Sequence, residues 1–209
     1  MDLQNKEWND RYKNYKEVSY DGWLSRYDNY FRMNKNGKMI ELGAGNGGIS
    51  QHLFGNGYDI IASDYSEEAL KNIKKLQGNI DTRLIDLRDP LPFNDNFFSI
   101  VIADLSLHYF TGETTAKIFG EICRVIKIGG YLMIRVNSTK DFNFGAGKGM
   151  EIEKNYYDCD YKYKRFFDEE EINKYLYSNK WERINISEYG IFRYENTEKI
   201  VWEVVSKKI

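Results

Sequence analysis

The chain has 209 residues, 42% hydrophobic and 16% aromatic, enough for one domain with a real core and too apolar for wholesale disorder. Its 30 basic and 32 acidic residues leave a formal net charge of -2, which offers no electrostatic footprint for nucleic acid or an anionic membrane. Two cysteines, Cys123 and Cys159, have no zinc-type spacing and are too few for a disulfide framework, so they read as reduced thiols of a cytoplasmic protein.

Residues 1–36 are expected to form an N-terminal helical cap, and their start, MDLQNKEWND, is too polar for a secretory signal. MIEL (39–42) is a short apolar run ending in glycines, the pattern of a buried strand entering a tight turn. NGGISQHLFGNG then reads as a short helix closed by Gly55 or Gly57. YDIIASD (58–64) is a second strand, ending on Asp64. Ser66 suits the N-cap of the next helix, Glu67 and Glu68 its first turn, and Ala69, Leu70, Ile73 and Leu76 its apolar stripe. TRLIDL (82–87) is a third strand ending on Asp86, and FSIVIADL (98–105) a fourth ending on Asp104. The longest apolar stretch, FFSIVIADLSLHYF, is broken by Asp104 and too short to span a bilayer. A helix over about 114–127 carries Ile118, Phe119, Ile122, Val125 and Ile126 on one face. Gly129-Gly130 ends it, and YLMIRVN (131–137) is the fifth strand.

Residues 138–165 are polar, glycine-containing and tyrosine-rich, without clear periodicity, and read as an insertion. Within it GAGKG (145–149) lacks the G-x-x-x-x-G-K-[ST] pattern of a phosphate loop and reads as a mobile surface loop. Asp168 with Glu171 makes a capping-box-like start for a helix carrying Ile172, Tyr175 and Leu176. ERINISEYG and KIVWEVVS are two closing strands around a polar turn at Asn196. Strands alternating with helices specify an α/β fold. The expectation is a doubly wound, mostly parallel Rossmann-like sheet of seven strands, with an antiparallel C-terminal hairpin and helices on both faces. All of it falls within one domain over residues 1–209.

In an open sheet of this kind the ligand lies beyond the carboxyl ends of the strands. MIELGAGNGG fits two glycine patterns there. Gly43, Gly45 and Gly48 satisfy G-x-G-x-x-G, a dinucleotide pattern, while Glu41, Gly43, Gly45 and Gly47 satisfy acid-x-G-x-G-x-G. Asp64, about twenty residues beyond the first glycine, can accept the ribose hydroxyls of either ligand. Glu41 and Asp104 separate the two, because they oppose a pyrophosphate and favour a ligand that joins a ribose to an ammonium and a sulfonium. The turn therefore suits S-adenosylmethionine better than NAD.

ELGAGNG, ASDYS, LIDLRDPLPFNDNFFSIV, ADLSLHYF and EICRVIKIGGYLMI, in that order over residues 39–136, resemble the successive motifs of the class I S-adenosylmethionine-dependent methyltransferases. The resemblance implies that cofactor, with S-adenosylhomocysteine as product and a small-molecule methyl acceptor. It also implies a cofactor set. The turn through Gly43, Ala44, Gly45 and Gly47, with Glu41 before it, would lie against the methionine part. Asp64 would hold the ribose, Tyr65 would pack on adenine, and Asp86 and the Leu87 backbone would meet the adenine edge. Asp104, followed by Leu105, would face the methionine ammonium. EWNDRY resembles the N-terminal helix of tellurite- and thiopurine-type members, where Arg11 or Tyr12 would meet the cofactor carboxylate. Ser99 and Ile128 stand where the family often has Asp and Pro, at positions that look structural.

His108, one turn past the fourth strand, is placed to act as a general base beside the methyl group, and Tyr109 to orient a substrate through its hydroxyl. His52, in the first sheet-flanking helix, reads as structural. The insertion, on the acceptor side, would build the acceptor pocket. The expected partner is a small molecule, with no nucleic acid and no membrane, and the protein is expected to be a monomer or homodimer. One alternative is a non-catalytic S-adenosylmethionine-binding module. Another is an NAD(P)-dependent oxidoreductase, which lacks a Ser/Tyr-x-x-x-Lys pair after the fourth strand. An RNA or protein methyltransferase lacks both a basic surface and an Asn/Asp-Pro-Pro-Tyr/Phe motif.

Overall fold

The computed structural model describes residues 3–14, 18–76, 78–159, 162–176, 180–194 and 197–209. Its main sheet is built from Met39–Leu42 (β1), Ile60–Asp64 (β2), Asp81–Leu84 (β3), Phe98–Asp104 (β4), Ile126–Asn137 (β5) and the C-terminal strands Trp181–Tyr194 and Thr197–Lys208. β1 and β2 are buried along their whole length, as expected of central strands covered on both faces. The spatial order places β3, β2, β1, β4 and β5 side by side, followed by Thr197–Lys208 and then Trp181–Tyr194 at the edge. The first five strands are parallel, and the last two join antiparallel. The order reverses between β1 and β4, which makes their carboxyl ends the switch point where such sheets bind ligands.

Alternation along β4 assigns the two faces. Val101 and Ala103 pack with Ile118, Phe119 and Ile122 of the helix Gly112–Val125 (α5 in chain order). Ile100 and Ile102 pack with Trp23, Leu24, Tyr27 and Phe31 of the N-terminal segment. That segment comprises Leu3–Asn14 (α1), a 3-10 turn Trp23–Tyr27, and Asp28–Met33 (α2). The remaining crossover helices are Gly48–Gly55 (α3) and Glu67–Leu76 (α4). Asparagines tie α1 to α4 and its N-terminal Ser66: Ser66 Oγ donates to Asn9 Oδ1 at 2.7 Å, and Asn72 Nδ2 donates to the Tyr12 carbonyl at 2.8 Å.

Several local expectations need correction. β3 ends at Leu84, so Asp86 lies two residues past the strand rather than at its end. Leu76 is exposed, because the buried stripe of α4 stops at Ile73. Gly129-Gly130 does not stop α5. Thr111 caps its start, and it ends at Val125, where Ile126 turns extended (φ -75, ψ 137). The two glycines instead lie inside β5, where the register against β4 slips between Phe98 and Ile100. A Cβ on Gly130 would sit 2.8 Å from the Ser99 carbonyl oxygen, so a close backbone approach explains it.

The insertion is also more ordered than its composition indicates. After a 3-10 turn at Phe142–Phe144 it forms a three-stranded antiparallel sheet: Met150–Glu153 (β6), Tyr156–Cys159 (β7) and Lys162–Arg165 (β8). Cross-strand pairing of Tyr156 with Arg165 places the guanidinium 5.1 Å over the ring, which buries both in an otherwise polar stretch. GAGKG is thus the lead into a strand. The next helix, Glu169–Leu176 (α6), begins as expected with the Glu171 N–H donating to Asp168 Oδ1 at 2.8 Å. The Glu171 carboxylate goes to Arg165. The closing strands, β9 (Trp181–Tyr194) and β10 (Thr197–Lys208), form the expected hairpin, and the turn assigned to Asn196 lies outside the described residues.

Candidate cofactor and acceptor site

A cavity of about 870 Å³ opens at the carboxyl ends of β1, β2 and β4, with α1 on one flank and β8 and the start of β10 on the other. The glycine turn forms its floor. Gly43 (φ +75) and Gly45 (φ +56) adopt the left-handed conformation that favours glycine. A Cβ on Gly43 would lie 2.4 Å from Ser106 Cβ, and one on Gly45 would lie 2.9 Å from the Tyr12 hydroxyl. The Gly43 and Ala44 N–H groups both donate to the Ser63 carbonyl, at 2.9 and 2.8 Å, fixing the turn against β2. Gly47, expected in the same cradle, is instead the N-cap of α3 (φ +81) and packs toward Ile73. Asn46 and Gly48 line the cavity around it.

The acidic residues are more heavily engaged than their spacing indicates. Glu41 is buried and accepts hydrogen bonds from Ser50 N at 2.9 Å and Ser50 Oγ at 2.5 Å, so its charge meets the start of α3. Asp64 accepts from the Gly45 and Ser66 amides, each at 2.8 Å. Burial pushes its carboxyl up to about 6, against the lowering effect of those amides. Arg88 forks onto Asp86, with Nε 2.9 Å from Oδ1 and Nη2 2.6 Å from Oδ2. The same guanidinium stands 5.0 Å over the Tyr65 ring and donates to its hydroxyl at 2.6 Å. Leu87 lines the wall beside them.

Asp104 has the strongest partner. Arg135, 1% exposed, donates through Nε to Oδ1 at 2.7 Å and through Nη2 to Oδ2 at 2.9 Å. The picture of Glu41 and Asp104 as open anions repelling a pyrophosphate is therefore corrected, since Glu41 is bonded to Ser50 and Asp104 carries an arginine. Arg135 was legible as the single charge in YLMIRVN, although its destination was not. Leu105 follows with φ +56, a left-handed backbone unusual for leucine, and its N–H donates to the Arg135 carbonyl at 2.9 Å. Strain of this sort collects at functional sites.

Arg11 and Tyr12 both line the cavity from α1. Arg11 lies 5.4 Å over Trp8, and the Trp8 ring meets Tyr109 edge-on at 5.4 Å. His108 lines the cavity next to Tyr109, is 3% exposed, and its Nδ1 has no hydrogen-bond partner among the described residues. Burial drives its pKa well below 6.5, and the charges of Lys199 and Lys164 push the same way, so the imidazole is neutral at physiological pH. Asn137 Oδ1, at the end of β5, is likewise buried and unpartnered among the described residues. His52 packs on Tyr20 at 4.7 Å, in the structural role expected of it. Residues not singled out from the sequence complete the wall: Trp8, Arg88, Ser106, Asn137, Tyr163, Lys164 and Lys199.

A methyltransferase-domain family profile matches residues 40–134. Among curated proteins, the chain is 31% identical over 102 residues to phosphoethanolamine N-methyltransferase 1 of Triticum aestivum, covering 46% of this chain and 20% of the relative. It is 31% identical over 105 residues to demethylmenaquinone methyltransferase of Renibacterium salmoninarum, covering 50% of this chain and 43% of the relative. These matches thus span less than half of the relatives' own lengths. Among solved structures, a SAM-dependent methyltransferase from Methanosarcina mazei superposes with a TM-score of 0.75 at 16% identity, over 92% of this chain and 99% of that one. TehB from Haemophilus influenzae gives 0.71 at 17% identity, over 97% and 67%. The profile falls on the stretch that carries the glycine turn, Asp64, Asp86 and Asp104, and the solved structures share the seven-stranded fold. Residues 40–134 thus match a methyltransferase domain, within a fold that the chain shares with solved SAM-dependent methyltransferases.

Proposed function

We propose that the protein transfers the methyl group of S-adenosylmethionine to a small-molecule acceptor. The observation that carries this reading is one cavity holding a β-carbon-free turn and a buried ribose-type carboxylate together with a neutral, unpartnered histidine nitrogen. The residues present fit the cofactor. Any β-carbon at Gly43 or Gly45 would collide, Asp64 keeps lone pairs beyond those the Gly45, Tyr65 and Ser66 amides use, and the volume suits a ligand of nucleoside size.

On this reading Asp64 accepts the ribose hydroxyls, Tyr65, Asp86 and Leu87 surround adenine, and Gly43 to Gly45 lie along the methionine part. Asp104, oriented by Arg135, meets the ammonium, with Leu105 beside it. Arg11 or Tyr12 meets the carboxylate. When bound, the cofactor supplies a methyl carbon already activated by a positively charged sulfur. The chain's own task is then alignment, exclusion of water and removal of one proton. His108 Nδ1 is buried without a partner among the described residues, and in the tautomer protonated at Nε2 its lone pair is suited to receive a proton from an acceptor N–H or O–H. Tyr109 orients the acceptor. The 138–165 insertion forms its wall through Phe144, Tyr163 and Lys164, and α1 closes the other side.

The relatives above are named for phosphoethanolamine and demethylmenaquinone, both small molecules, which supports an acceptor of that size. Calorimetric titration with S-adenosylhomocysteine and with NAD tests the reading. Binding of the first alone is expected, and comparable affinity for NAD would overturn it. Turnover against a panel of small amines, alcohols and thiols then separates an enzyme from a silent binding module.

A further inference from the structure

Around Phe144 the cavity wall gathers two ammonium groups. Lys199 Nζ lies 4.6 Å over the Phe144 ring, and Lys164 Nζ donates to the Phe144 carbonyl at 3.3 Å. Both lysines line the same cavity as His108 and Asn137. Lys199 is 6% exposed and ion-paired to the fully buried Asp141 at 2.7 Å. Lys164 has no ion-pair partner among the described residues, only that neutral carbonyl. Lys162, at the rim, is paired to Glu7 at 3.6 Å. Among the described residues Asp141 thus pairs with Lys199 alone, and Lys164 has no carboxylate partner. A half-buried ammonium without an anion is costly, as is a buried polar atom without a partner. The wall shows both kinds of deficit, the second at His108 Nδ1 and Asn137 Oδ1.

We propose that this wall is an anion subsite: the methyl acceptor carries a carboxylate or phosphoryl group that seats between Lys164 and Lys199, with a hydrogen-bond donor turned toward His108 and Asn137. One ligand would meet both deficits. The ammonium groups would hold the anionic end through charge-assisted hydrogen bonds. The lone pairs of His108 and Asn137 would receive N–H or O–H groups at the other end, where the nucleophile sits. Burial first, and then both lysines, hold the imidazole neutral before the acceptor arrives. This substrate class rests on the methyl-transfer reading given above, while the anion subsite itself can be tested without turnover.

The chain has two histidines, so an imidazole-labelled sample gives two assignable ring systems. The test titrates inorganic phosphate, and separately acetate, into the full chain saturated with S-adenosylhomocysteine while nuclear magnetic resonance follows both rings. The expected result is a saturable shift of His108 but not of His52 with at least one of the two anions. Preference for phosphate assigns a phosphoryl acceptor, and preference for acetate a carboxylate. Lys164→Gln should weaken that anion about 10-fold or more, and Lys164→Arg should restore most of it. S-adenosylhomocysteine affinity should stay within a few-fold in both variants. Absence of a His108 shift with either anion would overturn the proposal, as would an unchanged anion affinity in Lys164→Gln. A large loss of S-adenosylhomocysteine affinity in Lys164→Gln would overturn it too, by placing the lysine at the cofactor instead. If wild-type protein binds no S-adenosylhomocysteine, the methyl-transfer reading fails, and titration of the ligand-free chain still decides whether the anion subsite exists.

Discussion

Arg135 and Asp104 face each other as register partners on adjacent parallel strands, and the arginine grips the carboxylate with two nitrogens while its third reaches Asp21 at 2.6 Å. The pair links the N-terminal segment to the cavity, and the Trp23 ring lies 4.9 Å beneath the guanidinium. Breaking a buried pair from one side leaves an uncompensated charge. Arg135→Met should therefore cost about 3–5 kcal/mol, read as a shift in urea midpoint at constant slope. Asp21 is about one-third exposed, and Asp21→Asn should cost about 1 kcal/mol or less. Equal losses from the two substitutions would mean that Asp104 does not depend on Arg135.

On the proposed reading, Asp64 makes cofactor binding pH-dependent in a defined direction. Its carboxyl stands near 6 in the folded chain against 3.8 for a free aspartate, so between those values the folded state holds more proton than the unfolded one. The contribution of this group to stability is thus present at low pH and declines as pH rises through that window. Ribose hydroxyls donate hydrogen bonds and require the ionised form. On the proposed reading, affinity for S-adenosylhomocysteine should be flat above pH 7 and fall up to about 10-fold per unit below pH 6. Calorimetry at several pH values measures this, and an affinity unchanged down to pH 5 would remove Asp64 from the ribose. Asp64→Ala should weaken binding by about 1–3 kcal/mol at pH 8.

Two glycines of neighbouring elements should respond in opposite ways to alanine. Gly45 has φ +56, and its Cβ would meet the Tyr12 hydroxyl at 2.9 Å, so Gly45→Ala should destabilise the protein and displace α1 from the cavity. Gly55 ends α3 at negative φ with open space around its missing Cβ. Gly55→Ala should raise stability by about 0.4–1 kcal/mol. Thermal melts with and without S-adenosylhomocysteine compare them. A Gly45→Ala variant with intact affinity and stability would show that the turn tolerates a side chain.

The central sheet was legible because its signals are local and redundant. MIEL, IIASD and FSIVIAD are apolar runs bounded by turn residues, and each became a fully or almost fully buried strand. The glycine turn was legible for the same reason. The partners of the acids were not, because Arg135 is 31 residues from Asp104 and the register of β4 against β5 brings them together. Arg88 hid in a different way: it lies two residues from Asp86, but nothing in the spacing says that it folds back over Tyr65. In the insertion, β6 alternates as Met-Glu-Ile-Glu but leaves Met150 and Ile152 exposed, while β7 and β8 bury Tyr156 and Arg165 rather than valine or isoleucine. The period of two in β7 and β8 is therefore masked by charge.

Arg165 joins that insertion to His108. Its backbone N–H donates to the His108 carbonyl at 2.8 Å and its Nε to the Phe110 carbonyl at 3.1 Å. Its remaining nitrogens bond Glu153 at 2.5 Å and Glu171 at 3.0 Å, and it is 2% exposed. The loop carrying the proposed proton acceptor is thus held by β8, and Arg165 is a positioning residue for it. On that reading His108→Ala should lower kcat on the order of 100-fold and leave S-adenosylhomocysteine affinity nearly intact. Because the imidazole pKa lies well below 6.5, the wild-type rate should show no histidine inflection between pH 6.5 and 8. Arg165→Lys keeps the charge but loses the fork, so it should lower kcat by a smaller factor and shift the His108 ring resonances, again with cofactor affinity retained. If Arg165→Lys lost stability and cofactor affinity together while the His108 resonances stayed in place, the arginine would be only a structural tie. If His108→Ala kept full kcat, the proton would have to leave by another route, and Tyr109 would be the residue to test next.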